Sequence, residues 1–171
     1  WDEMLKDDCA WWVRRFRNMQ KYFDAYRIDH VLGFFRIWAI PITCVHGLLG
    51  QFAPALGMSR EEIEGYGLHF QEQLFTTPFI ARWVVDRVFR EHAQEVIDTY
   101  LDHQHDDIYA LKPQYDTERK IEAAFKDKNS DVDIWIRDGL YALASDVLFV
   151  RDYNDPNKFH PRITAQLNFM Y

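Results

Sequence analysis

Tyr26-Arg27-Ile28-Asp29-His30, followed by Leu32-Gly33-Phe34-Phe35-Arg36-Ile37-Trp38-Ala39-Ile40-Pro41, is the stretch on which the reading of this chain turns. Side chains alternate along a strand, so a strand from Ala25 to about Asp29 puts Ala25, Arg27 and Asp29 on one face and Tyr26 and Ile28 on the other. An arginine then stands beside a carboxylate. A guanidinium at that range holds the carboxylate ionised and fixes its orientation, as an attacking carboxylate requires at neutral pH. Taken alone, an Arg-Asp pair two residues apart on a strand is more often a partly solvated salt bridge. His30 alone is more often a satisfied core or rim histidine than a substrate ligand. The flanking residues have to decide.

Upstream, Leu5, Cys9, Trp12, Phe16, Met19 and Phe23 recur at spacings of three and four, with Lys6, Arg14, Arg15 and Lys21 mostly off the stripe. That pattern predicts one amphipathic helix with Asp2 as its N-cap, joined to the strand by a very short link. Downstream of Pro41 the pattern turns helical. Ser59-Arg60-Glu61-Glu62 fits a capping box. Thr77-Pro78 reads as another helix start, since proline at the first helical position lacks only an amide that would be unpaired anyway. Ile80, Trp83, Val84 and Val88 form its apolar stripe, continued on a second segment by Val96, Ile97, Tyr100 and Leu101. Asp116 or Thr117 opens a third helix carrying Ile121, Ala124 and Phe125, and a fourth runs from Asp133 to about Ala144 with Ile136, Leu140 and Leu143 inward. Val147 to Val150 is a short β-prone run, Asn154-Asp155-Pro156-Asn157 a turn cluster, and Phe159 to Ile163 a returning strand. Pro161 would confine that strand to an edge or shorten it. There is no internal repeat and no low-complexity linker.

On Arg27-Ile28-Asp29-His30, the aromatic run and Ile40-Pro41 after it, and Trp11-Trp12-Val13-Arg14-Arg15-Phe16 before it, the chain resembles the amylomaltases or disproportionating enzymes, 4-alpha-glucanotransferases of glycoside hydrolase family 77. Leu111-Lys112-Pro113 and Phe159-His160-Pro161-Arg162-Ile163 resemble the subgroup with a long insertion after the nucleophile strand, which includes the plant cytosolic and Bacteroides-type enzymes. The resemblance implies an α/β fold class: a fragment of a (β/α)8 TIM barrel, its third helix and fourth strand, over residues 1–42. A mainly α-helical insertion with a small β-hairpin would follow over 43–171. It also implies a retaining transfer of α-1,4-linked glucosyl units between maltose or maltodextrins and glucan acceptors such as those of starch. Retention needs two carboxyl groups about 5 Å apart, one attacking carbon and one protonating the leaving oxygen. Asp29 matches the attacking residue, Arg27 the residue that orients it, and His30 a neighbour that hydrogen-bonds the sugar. Trp38 and Phe35, just past the strand end, are candidates for lining the sugar site; Asp29 and Arg27 are thus the candidate catalytic residues, and His30 and Trp38 the candidate substrate-binding ones. Ala39 departs from the glutamate of many relatives, so no role of that glutamate transfers. The family's acid/base glutamate and third carboxylate have no matching motif here. No metal or organic cofactor is implied.

Composition narrows the rest. The 171 residues are 48% hydrophobic and 16% aromatic, enough for an ordinary core. A formal net charge of -7 argues against a nucleic-acid partner. No apolar run reaches the roughly 18 residues of a membrane span, and no signal peptide opens the chain. Cys9 and Cys44 form neither a metal nor a redox spacing, so a cytoplasmic location is expected. His103 and His105 with Asp102, Asp106 and Asp107 match no common zinc or calcium motif, and the run reads as a solvated helix end. Trp11, Trp12, Trp83 and Trp135 sit at helical spacing, where aromatics are more often core than sugar platforms. The start at Trp1 and the stop at Asn168-Phe169-Met170-Tyr171 lead to the expectation of a segment from a longer protein, since a full barrel takes about 250 residues. Such a segment, without its proton donor, is expected to be inactive by itself. The alternative is a mainly helical binding module with a structural Arg27-Asp29 pair. A different glycosidase family sharing the barrel is a further rival, because Arg-x-Asp on strand four recurs there. A glutamate followed by Asp-Leu-Gly beyond residue 171, and a later His-Asp pair, would decide for the glucanotransferase.

Overall fold

The computed structural model describes residues 2–162, without the Asp2 side chain. The proposed capping by Asp2 and the strand residue Ile163 therefore lie outside the described residues. Two compact units follow one another, one ending at Phe35 and one beginning at Arg36.

In the first unit the expected single helix is two: α1 (Asp2–Leu5) and α2 (Ala10–Met19). The break falls on Asp7-Asp8-Cys9. Asp8 and Cys9 have φ of 51° and 56°, the left-handed region that a short acidic side chain tolerates better than most. The Cys9 amide reaches back to the Met4 carbonyl at 2.8 Å, closing α1, and the Ala10 amide is shared between the Asp7 carbonyl at 3.0 Å and the Asp7 carboxylate at 3.1 Å. Local side-chain acceptors thus outcompete the continuous ladder that the apolar spacing suggests. The stripe survives only in its middle: Trp12, Phe16 and Met19 are half-buried, whereas Leu5 and Phe23 are exposed.

Residues 25–29 are extended in sequence character but form no strand. A strand exists only with a neighbour to take its amides and carbonyls. None of the described residues pairs with this segment, and the next strand along the chain, β1 (Ile37–Ala39), takes β2 (Gln51–Ala53) instead. The alternation is nonetheless visible: Tyr26 stacks on Phe16 with centroids 5.1 Å apart, while Arg27 and Asp29 turn to each other.

The second unit is richer in strands than a mainly helical insertion. Beyond the β1–β2 hairpin come β3 (Met58–Ser59), α3 (Arg60–Gly65), α4 (Glu72–Thr76), β4 (Ile80–Ala81), α5 (Arg82–Phe89), α6 (Ala93–Tyr100), β5 (Leu101–His105), β6 (Ile108–Leu111), α7 (Glu118–Ala124), α8 (Asp131–Ser145), β7 (Phe149–Arg151) and β8 (Lys158–Pro161). Two three-stranded antiparallel sheets result, ordered β4-β6-β5 and β3-β8-β7. The helix expected at Thr77-Pro78 starts at Arg82, because Ile80 and Ala81 are drawn into the ladder with Tyr109 and Ile108. The His/Asp run 102–107 lies on a β-hairpin rather than at a helix end. The expected hairpin forms between Phe149–Arg151 and Lys158–Pro161, but its Pro161 strand is central. Proline is tolerated there because it is the last residue of β8, beyond the two residues that pair with β3.

Helix starts carry their own chemistry. Ser59 and Glu62 complete a capping box, as do Ser130 and Asp133, and Thr117 caps α7 by accepting the Lys120 amide. Two cores hold the unit. One packs α5, α6, α7 and α8 through Val84, Phe89, Val96, Ile121 and Leu140. The other gathers Ile63, Phe70, Phe75, Phe149 and Phe159 around the β3-β8-β7 sheet. Each such side chain taken from water contributes about 1.5–3 kcal/mol. Trp83, by contrast, is about half exposed on α5.

Candidate functional site

Arg27 and Asp29 are brought together: Arg27 Nε stands 2.6 Å from Asp29 Oδ1. Both side chains are open, 87% and 75% exposed. The segment is anchored from behind by aromatic contacts. Trp12 stacks on Phe16 at 5.7 Å and meets Phe34 at 5.1 Å, and Phe16 carries Tyr26. Rings on both sides of the Arg27-Asp29 pair therefore rest on one face of α2. Such contacts are worth about 0.5–1.5 kcal/mol each beyond their area.

His30 follows directly, with φ 55° and ψ 44°. A non-glycine residue in the left-handed region is uncommon. Its carbonyl accepts the Gly33 amide at 2.9 Å, which closes a single 3-10 turn over Val31–Phe34. The chain thus turns sharply after Asp29, and His30 is exposed.

Trp38 belongs to the second unit. On β1 it is 37% exposed, its Nε1 donates to the Gly47 carbonyl at 2.7 Å, and its ring meets Phe52 of β2 edge to face at 5.1 Å. Gly50 permits this: a Cβ there would lie 2.4 Å from the indole nitrogen. Phe35 is exposed.

Two groups that periodicity could not pick out shape this unit. Glu118, only 4% exposed, accepts the amides of Val45 and His46 at 2.5 and 3.0 Å on one oxygen and meets His46 Nδ1 at 2.8 Å on the other. It ties the segment after β1 to α7. Its only sequence signal is an acidic residue in the first turn after Thr117, which by itself reads as a solvated charge. Arg162 donates from Nη1 to the Leu49 carbonyl at 3.3 Å, and burial pushes its guanidinium below the ordinary value. Burial likewise raises the Cys44 thiol, against a hydrogen bond from Thr43.

With this geometry in view, comparison with known proteins gives a family. The model of the family described as 4-alpha-glucanotransferase matches residues 1–146, and the chain belongs to that family. The 4-alpha-glucanotransferase DPE2 of Oryza sativa subsp. japonica is 36% identical over 172 residues, which cover 97% of this chain and 18% of the relative. The chloroplastic/amyloplastic 4-alpha-glucanotransferase of Solanum tuberosum is 42% identical over 52 residues, 30% of this chain and 9% of that protein. That of Chlamydia pneumoniae is 47% identical over 36 residues, 21% of this chain and 7% of that protein. The chain thus spans less than a fifth of the length of these curated relatives. No solved structure matches it. Among the described residues no helix is long and apolar enough to cross a membrane.

Proposed function

We propose that this chain is the nucleophile-bearing segment of a retaining 4-alpha-glucanotransferase. In this reading Asp29 attacks the anomeric carbon of an α-1,4-linked glucosyl unit in maltose or a maltodextrin, and the leaving oxygen departs with a proton. A hydroxyl of the acceptor glucan then displaces Asp29 from the glucosyl ester and restores the free carboxylate. Arg27 orients the attacking oxygen, and His30 hydrogen-bonds the sugar. The acid/base glutamate and third carboxylate would come from residues beyond this chain. The observation that carries the reading is the exposed 2.6 Å Arg27-Asp29 pair within the stretch matched by the family. Family membership favours it over a free-standing binding module with a structural ion pair.

The barrel placement of residues 1–42 and an insertion over 43–171 belong to the same proposal. It is supported by a relative that matches along nearly the whole chain beside others that match over less than a third. The insertion would shape the acceptor side of the cleft, so deleting about Thr43 to Arg162 from the full-length protein should change acceptor preference. Two free thiols, Cys9 and Cys44, support a reducing, cytoplasmic setting. The test of the chemistry is to quench the full-length protein during turnover of maltotriose and map the peptides by mass. A glucosyl adduct on the peptide containing Asp29 is the expected result; an adduct elsewhere would refute the assignment.

A further inference from the structure

The β1–β2 hairpin is a two-stranded sheet with no third strand among the described residues, and the three residues of β1 are all exposed. A ladder that small holds little by itself. The Trp38 indole is therefore placed by what it touches. The Gly47 carbonyl takes its Nε1–H at 2.7 Å, the Phe52 ring meets it edge to face, and Gly50 leaves it room where a Cβ would not. Gly47 and Gly50 belong to the segment that follows Pro41, so the position of that segment decides where the indole sits.

That segment is held from α7. Glu118 takes the Val45 and His46 amides at 2.5 and 3.0 Å on one oxygen and meets His46 Nδ1 at 2.8 Å on the other, while the Arg119 amide donates to the Thr43 carbonyl at 3.1 Å. A carboxylate only 4% exposed is costly unless its oxygens are taken, and here both are. The His46 carbonyl in turn accepts the Leu49 amide at 3.1 Å, closing the 3-10 turn Gly47–Leu49. The contacts thus run without a gap: Glu118 holds the His46 amide, and the next residue, Gly47, holds the Trp38 indole. Arg162 ties the far end of the turn, from Nη1 to the Leu49 carbonyl at 3.3 Å.

We propose that Glu118 is a positioning residue for substrate binding, which sets the Trp38 indole through Val45, His46 and Gly47. The inference rests on the reading of Trp38 as lining the sugar site. It adds to that reading a buried carboxylate on α7, far along the chain, that acts only through the segment it holds.

The test is a double-variant cycle in the full-length protein, reading kcat and KM for maltotriose. Glu118→Asp keeps the charge but draws the carboxylate back by one methylene, about 1.5 Å, out of reach of both amides. It should raise KM about tenfold with kcat within about twofold of the parent, the pattern of lost binding rather than lost chemistry. Trp38→Leu should raise KM as well, and on that background Glu118→Asp should add less than about twofold, because its effect passes through the indole. A Glu118 that only stabilises the fold would lower the melting temperature and leave KM at the parent value. A KM rise that repeats in full on Trp38→Leu would mean a route that bypasses the indole. Either result overturns the inference. His46→Ala removes one contact of the same carboxylate from a side chain that is 56% exposed, so it opens no buried site. It should raise KM about threefold in the parent and not on Trp38→Leu, which keeps the cycle decisive if Glu118→Asp does not fold. Failure of the underlying reading shows differently: Trp38→Leu alone at the parent KM removes Trp38 from the sugar site, and the inference falls with it.

Discussion

Arg27 and Asp29 find each other without a strand, because two residues of extended chain bring their side chains to one side whether or not a ladder forms. This pair was legible from spacing. Glu118 was not: it stands 73 residues from Val45 in the chain and meets it only through tertiary structure. If Arg27 orients the Asp29 carboxylate, Arg27→Lys in the full-length protein should lower kcat by about 10–100-fold with little change in KM, since an ammonium cannot hold the same planar contact. An equal loss in KM alone would assign Arg27 to sugar binding. A second residue-scale test concerns Asp152, whose carboxyl is held below its ordinary value first by the hydrogen bond from His160, with the Asn154 and Asp155 amides adding to it. A depressed folded value means stability that is complete above the unfolded value of about 3.9 and is lost as pH falls through the lower folded one. Asp152→Asn should therefore shrink the drop in urea midpoint between pH 6 and pH 3. A drop as large as in the parent would show that the pair contributes nothing.

At the scale of elements, local signals are legible in part: α8 starts at Asp131 behind its Ser130 cap, ahead of the expected Asp133, and the break at Asp7-Asp8-Cys9 splits the expected first helix. The Ser59 cap falls where the sequence places it, and Thr117 is the one of its two candidates, Asp116 or Thr117, that caps α7, because a cap depends on residues within one turn. What periodicity missed were the positions where strands compete. Ile80 and Ala81 suit the first turn of a helix, yet pairing with β6 claims them, and residues 25–29 lack the neighbour that a strand needs. The helix packing makes a sharper demand. A Cβ on Gly139 of α8 would lie 2.4 Å from Cε1 of the fully buried Phe89 of α5. Gly139→Ala should destabilise the protein by about 1–3 kcal/mol despite alanine's better helix propensity, read as a lower denaturant midpoint. A gain in stability would mean that the α5–α8 contact is looser than described.

For the molecule as a whole, the two units differ in how they are held. Among the described residues no side chain of α2 is fully buried, and its aromatic contacts with Tyr26 and Phe34 support the Arg27-Asp29 segment, whereas the second unit has two buried cores. The family was legible because it rests on a contiguous motif, and the family model matches residues 1–146. The tie from Glu118 to the segment beside Trp38 was beyond any motif. The most direct measurement is the rate of glucosyl transfer from maltotriose by the full-length protein with Asp29→Asn. Loss of an attacking carboxylate predicts a fall of at least about 10³-fold with the fold intact; transfer at close to the parent rate would contradict the account.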